Sequence, residues 1–390
     1  MKSPVLSILF LLISVTLLAV PNDFRFRHFS VEDGLSSNSV RAIMQDKYGF
    51  LWIGTEEGLN RYDGIMIKSY SICPQAAGKY ISSLYGTKKN IWIGTDEGIY
   101  IYAYATETFT YFDLTTPNNV RITSIVNHIL QDKDGNLWFS TNGQGLFRYN
   151  LSKNYLEQYE FTSAFGIVAS TMADSDNQIW ALTNQGESGV YKLNKAENKF
   201  EPFGLLYNAG NHHSQALAML EDSEQTLWLG TWECGLQKID KYTRQTTTYL
   251  HPTDGKGVTH IHSLMEYAPH QLLIGSDDGL LLFNTLTEEY KLFTENETVP
   301  NSLSNRFVYP IIKDREGGIW IGTYYGGINY ISPNAEQFES FSHSRLYNSI
   351  NGNVIGRFCE DAHGQIWIAS DDGGLNRYSP CLLYTSPSPR

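Results

Sequence analysis

Along most of this chain, apolar residues come in short runs of strand length, separated by clusters of Asp, Gly, Asn and Ser. Runs broken at such short intervals predict antiparallel strands joined by tight turns, not helices. The first stretch shows the pattern. Val40–Ile43 begins a strand, Asp46–Gly49 turns it, and Phe50–Thr55 forms a second. Glu56–Gly58 turns again into Leu59–Tyr62, and Asp63-Gly64 leads to a fourth strand, Ile65–Tyr70. Asp bonds its own backbone in such turns, and Gly accepts positive φ.

This unit recurs eight times. Its anchors are Leu51-Trp52-Ile53-Gly54-Thr55, Trp92-Ile93-Gly94-Thr95, Trp138-Phe139-Ser140-Thr141, Trp180-Ala181-Leu182-Thr183 and Trp228-Leu229-Gly230-Thr231. A copy without tryptophan follows at Leu273-Ile274-Gly275-Ser276, then Trp320-Ile321-Gly322-Thr323 and Trp367-Ile368-Ala369-Ser370. Anchors lie 40 to 48 residues apart, a period that predicts an all-β fold of four-stranded β-propeller blades. Residues 22–336 are expected to form one seven-bladed ring and 337–380 the first blade of a second; a single eight-bladed ring is the alternative. Phe24–Phe29 precedes the first unit without partners of its own and is expected to close the ring as an outer strand. Period-two alternation puts Trp52 and Gly54 on one face, a large ring beside a small residue against the next blade. The Asp six residues before the tryptophan (Asp46, Asp132, Asp174, Asp222, Asp314, Asp361) reads as a turn residue.

Composition narrows the function. A formal charge of −12 without any basic run argues against a nucleic-acid surface. Lys2 followed by an apolar stretch from Val5 to Val20 reads as a signal peptide over residues 1–21, with an uncleaved anchor as the alternative. Four scattered cysteines (Cys73, Cys234, Cys359, Cys381) form neither a disulfide framework nor a zinc pattern, which suits a bacterial periplasm. Residues 381–390 break the repeat, resemble translated vector sequence and are set aside as a non-native tail. No cofactor is indicated.

Four segments carry a family resemblance: Val31-Glu-Asp-Gly-Leu-Ser36, Ile53-Gly-Thr-Glu-Glu-Gly-Leu-Asn-Arg-Tyr-Asp-Gly64, Trp320-Ile-Gly-Thr-Tyr-Tyr-Gly-Gly327 and Asp371-Asp-Gly-Gly-Leu-Asn-Arg377. The chain resembles the periplasmic sensor region of bacterial hybrid two-component systems, built of two-component regulator propeller repeats. That resemblance implies a fragment of a longer protein with a second propeller, a membrane helix, a histidine kinase and a DNA-binding domain beyond it. It also implies an oligosaccharide ligand, a homodimer partner, control of polysaccharide utilisation, and membrane attachment only through the missing portion. The fragment itself is then not an enzyme.

Ligand candidates follow from the propeller layout. Loops between second and third strands hold small or acidic residues in most units, but Trp232, Tyr324 and Tyr325 in two of them. Flat aromatic faces suit sugar rings, with carboxylates and amides for the hydroxyls; packing against a partner propeller is the plainer role. Aligned on the tryptophan, Arg41, His262 and Tyr309 occupy equivalent first-strand positions at the central channel, and Arg306 lies just before Tyr309. His260 and His262 share a strand face, a spacing metals sometimes use, but no third ligand can be named. The competing classes are a stand-alone interaction scaffold and a polysaccharide lyase or glycosidase. Neither has a catalytic signature outside the repeat.

Overall fold

The computed structural model describes residues 24–72, 79–161, 166–183, 189–205, 215–251, 257–296, 299, 301–333, 349–352, 354–379 and 382–385. The expected signal peptide therefore lies outside the described residues. Among those described, regular structure is strand apart from one short 3₁₀ turn, Val31–Asp33, and no helix is long and apolar enough to cross a membrane.

Among the described residues, the strands form eight four-stranded antiparallel sheets. Blade 1 runs outward from Val40–Gln45 through Leu51–Thr55 and Gly58–Tyr62 to Ile67–Tyr70. Blades 2 to 6 repeat that order, with inner strands Ile81–Gly86, Val126–Gln131, Val168–Ala173, Ala216–Glu221 and Ile261–Ala268. Blade 7 is different. Val308–Lys313, Ile319–Thr323 and Ile328–Ile331 supply three strands, and Arg27–Phe29 pairs on Ile328–Ile331 as the fourth. The seven inner strands neighbour one another in a cycle, the seventh meeting the first. Pairing the chain's beginning into the last sheet covers an edge that would otherwise stand open.

Glycine explains how closely the blades approach. A side chain at Gly54 would lie 2.5 Å from Ile81 of blade 2, and one at Gly322 would lie 2.6 Å from Val40 of blade 1. The contact that joins blade 1 to blade 2 thus also joins blade 7 to blade 1. The tryptophans fill the same interfaces: Trp52, Trp138, Trp180 and Trp228 are fully buried. Their indole N–H groups are buried too and require an acceptor. The preceding aspartate supplies it. Asp46 Oδ2 accepts from Trp52 Nε1 at 2.8 Å while its Oδ1 accepts from the turn amides of Tyr48 and Phe50. The other five Asp–Trp pairs repeat the bond at 2.7–2.9 Å. The aspartates are therefore more than turn residues: each joins its turn to its interface. Blade 2 lacks the aspartate; Thr87 closes a shorter turn on Asn90, and Trp92 Nε1 is buried without a partner.

Each inner strand of the ring carries an irregularity at the same place, and that of blade 6 a second one between Glu266 and Ala268. Val40 pairs with Thr55 and Ala42 with Gly54, leaving Arg41 with no residue opposite. The same skip isolates Ser82, Asn127, Ala169, Leu217 and His262, and in blade 7 Tyr309 together with Pro310. A β-bulge of this kind re-aims a side chain out of the ladder. The residue before each bulge is apolar and fully buried in all seven blades.

The eighth sheet comprises Ile355–Glu360, Ile366–Ser370, Gly374–Ser379 and Leu382–Thr385. Its last strand comes from the segment set aside above as a tail. Phe358, Ile366 and Leu375 are exposed there, whereas their counterparts Ile43, Leu51 and Leu59 in blade 1 are buried.

Candidate functional site

First strands begin, and second strands end, on one face of the ring, so the bulged residues and the loops after the second strands converge on the mouth of the central channel. All seven bulged residues line one cavity of about 380 Å³ at this mouth, together with Tyr80, Asn142 and Ile167. A second cavity of about 320 Å³ continues below it and shares Arg41, Ser82, Asn127, Ala169, Leu217 and His262.

One arc of the mouth is aromatic and charged. Trp232 packs on His260, with ring centroids 3.8 Å apart. His260 Nδ1 and His262 Nε2 hold the two carboxylate oxygens of Asp277, the second at 2.8 Å. His262 stacks on Tyr309, and the Arg41 guanidinium carbon lies 4.9 Å from the Tyr309 ring centre and 4.4 Å from that of Tyr324. Arg41 Nη2 donates to Glu56 Oε1 at 2.6 Å. Residues of four blades, from Trp232 round to Glu56, thus form one connected chain of contacts. An adjoining arc, with Leu217 of blade 5 and Ile167 and Ala169 of blade 4, is apolar, and Ser82, Asn127 and Asn142 of blades 2 and 3 complete the lining with polar groups.

The charges in this arc are mutually fixed. Burial pushes the Asp277 carboxyl up, but hydrogen bonds from His262 and His260 outweigh it and hold the group below its usual range. Burial likewise opposes the Arg41 charge, yet the hydrogen bond and the charge of Glu56 hold it on. Burial raises Tyr80 and Tyr309, keeping both phenols neutral. Deeper in the channel, burial pushes His128 down to about 4, and its Nδ1 has no partner.

Of the residues singled out in the sequence, the structure brings Trp232, His262, Tyr309, Arg41 and Tyr324 together in this arc. Tyr325 stands at its rim, 63% exposed, edge-on to Tyr324 at 4.4 Å. Arg306 does not join them. Its guanidinium covers Phe307, and its backbone amide is held by Glu295. His260 shares Asp277 with His262 as a same-face pair would, but it precedes the strand with φ +50°, so a turn and not strand alternation sets its direction. Sequence reasoning missed Tyr80 and the joining role of Asp277. The only available signal for Asp277 was its place in the same hairpin as the histidines. No cluster of three or more His, Cys, Asp or Glu among the described residues is arranged to hold a metal ion.

The model of the two-component regulator propeller matches at residues 34–57, 121–143, 302–325 and 349–372. Each match spans an inner strand, its bulge and the loop after the second strand. Four of the eight repeating units, those of blades 1, 3 and 7 and of the eighth sheet, match two-component regulator propeller repeats. A histidine kinase, P4 of Formosa agariphila, is 46% identical over 68 residues, 17% of this chain and 5% of that protein. The extracellular domain of a hybrid two-component system from B. thetaiotaomicron superimposes with a TM-score of 0.70 at 26% identity, over 93% of this chain and 49% of that one. The chain thus spans about half of that domain. Virginiamycin B lyase from Staphylococcus aureus superimposes with a TM-score of 0.61 over 80% of this chain and 99% of its own. At 14% identity, that likeness is one of fold alone.

Proposed function

We propose that the chain is the ligand-sensing propeller of a hybrid two-component system, placed in the periplasm, and that it binds an oligosaccharide at the channel mouth. The observation that carries this is the arc from Trp232 to Glu56, which sets aromatic rings and fixed charges beside an open cavity. Rings in such an arrangement take the flat faces of sugars, and the polar groups take their hydroxyls. The repeats and the B. thetaiotaomicron likeness support the sensor role.

In this reading the eighth sheet opens a second ring, whose further blades would cover Phe358, Ile366 and Leu375. Ligand then biases a dimer of the whole sensor toward one geometry, and the kinase reports it to genes for polysaccharide use. Such a bias requires that the ligand bind the two geometries with different affinity. Isothermal titration of the protein with oligosaccharides from plant and algal polysaccharides tests the reading. Saturable binding that Trp232→Ala weakens, without release of shorter products, supports it; binding with cleavage would replace it by a lyase or glycosidase reading.

A further inference from the structure

We propose that this site reads the end of a saccharide chain, not an internal segment; the proposal rests on the oligosaccharide reading above. The shape of the cavity carries it. A chain held by its middle must leave a site in two directions, which requires a groove open at both sides. Here the inner strands of seven blades wall the cavity on every side, and all seven bulged residues take part. The way in runs along the ring axis. A chain lying across the mouth would meet the rim only, and a chain passing down the axis must enter by a free terminus.

The chamber below fits an entering terminal unit. It continues the same walls for about 320 Å³ and is lined by His128 and Ser263, whose buried Nδ1 and Oγ atoms have no hydrogen-bond partner in the protein. Buried polar atoms of this kind are satisfied by water or by a ligand. The two arcs also orient the unit. Its hydroxyl-rich edge faces Arg41 and His262, and its less polar edge faces Leu217 and Ala169. Trp232 and Tyr325, outside the cavity, are left to stack on the next sugars along the chain.

The test uses size-graded hydrolysates of xylan, mannan, laminarin and pectin, titrated at equal mass concentration. If ends are read, the apparent affinity per gram rises as chain length falls, in step with the concentration of termini. Leu217→Trp, which fills the axial cavity from the apolar arc, is expected to weaken binding about tenfold or more, a loss of about 1.4 kcal/mol. Ala169→Leu serves the same purpose should Leu217→Trp fail to fold. Affinity per gram that does not change with chain length, together with unaltered binding by the filled variant, would overturn end reading and leave the oligosaccharide proposal standing. Absence of binding across all four series would remove both.

Discussion

His262 lies face to face with Tyr309, ring centroids 4.1 Å apart and planes within 12° of parallel. Blade 6 supplies the first ring and blade 7 the second, and Arg41 of blade 1 approaches Tyr309 from the other neighbour. A sugar cannot stack on Tyr309 without displacing one of them. The tyrosine is a positioning residue between two polar groups, and the rings left for stacking are those nearer the rim.

The consequence is measurable. Tyr309→Phe keeps both ring contacts and is expected to change oligosaccharide affinity by less than about threefold, under 1 kcal/mol. Tyr309→Ala releases His262 and Arg41 together and is expected to lower it about tenfold or more. Titration of both variants against one ligand decides the matter; equal losses would make the hydroxyl, not the ring, the important part.

Acid should weaken the ring through His128. Its folded value of about 4 lies below the usual 6.5, so the unfolded chain binds the proton more readily. This contribution is fully present above pH 6.5 and is lost as pH falls toward 4. The span corresponds to about 3 kcal/mol at most. Denaturant unfolding of wild type and His128→Leu across pH 4 to 7 checks it, and the variant is expected to show the shallower dependence.

Cutting one Asp–Trp link is a stability experiment. In Asp132→Ala, Trp138 Nε1 loses its acceptor and Asn136 loses its turn contact. Leaving a buried donor unpaired costs about 1–3 kcal/mol. Thr87→Ala in blade 2, where the indole already lacks a partner, is expected to cost less, since only the turn is touched. The two midpoints in urea give the comparison directly.

Ring closure can be probed at a single glycine. A Cβ at Gly322 would sit 2.6 Å from Val40 and 2.7 Å from Pro310, so Gly322→Val must push blades 7 and 1 apart. Overpacking of this kind costs about 1–3 kcal/mol. Gly64→Val, where nothing lies within 4 Å but φ is +97°, separates steric crowding from backbone strain. A melting temperature unchanged by Gly322→Val would contradict the tight junction.

The repeat itself was legible because burial forces it: of the seven ring units, six carry the tryptophan that fills an interface and five the glycine that admits the next blade. Phe24–Phe29 was legible for a related reason, being a strand without a sheet of its own. Arg41, His262 and Tyr309 could be aligned by counting back from the tryptophan position. What the count could not show is that this position is a bulge, because the irregularity lies in the pairing of two strands and leaves no mark on one of them. The Asp277 bridge was hidden for a similar reason. Asp–Asp–Gly is ordinary turn chemistry, and it takes the positive φ of His260 together with the bulge at His262 to bring both imidazoles onto one carboxylate.

The bulges have an evolutionary consequence. A residue with no partner across the ladder can be exchanged without disturbing the strands that hold it, because the buried apolar neighbour before it keeps the register. Arg41, Ser82, Asn127, Ala169, Leu217, His262 and Tyr309 already differ in size, charge and polarity within a single ring. Descendants of such a gene can therefore acquire new ligand preferences one codon at a time, each intermediate still folded.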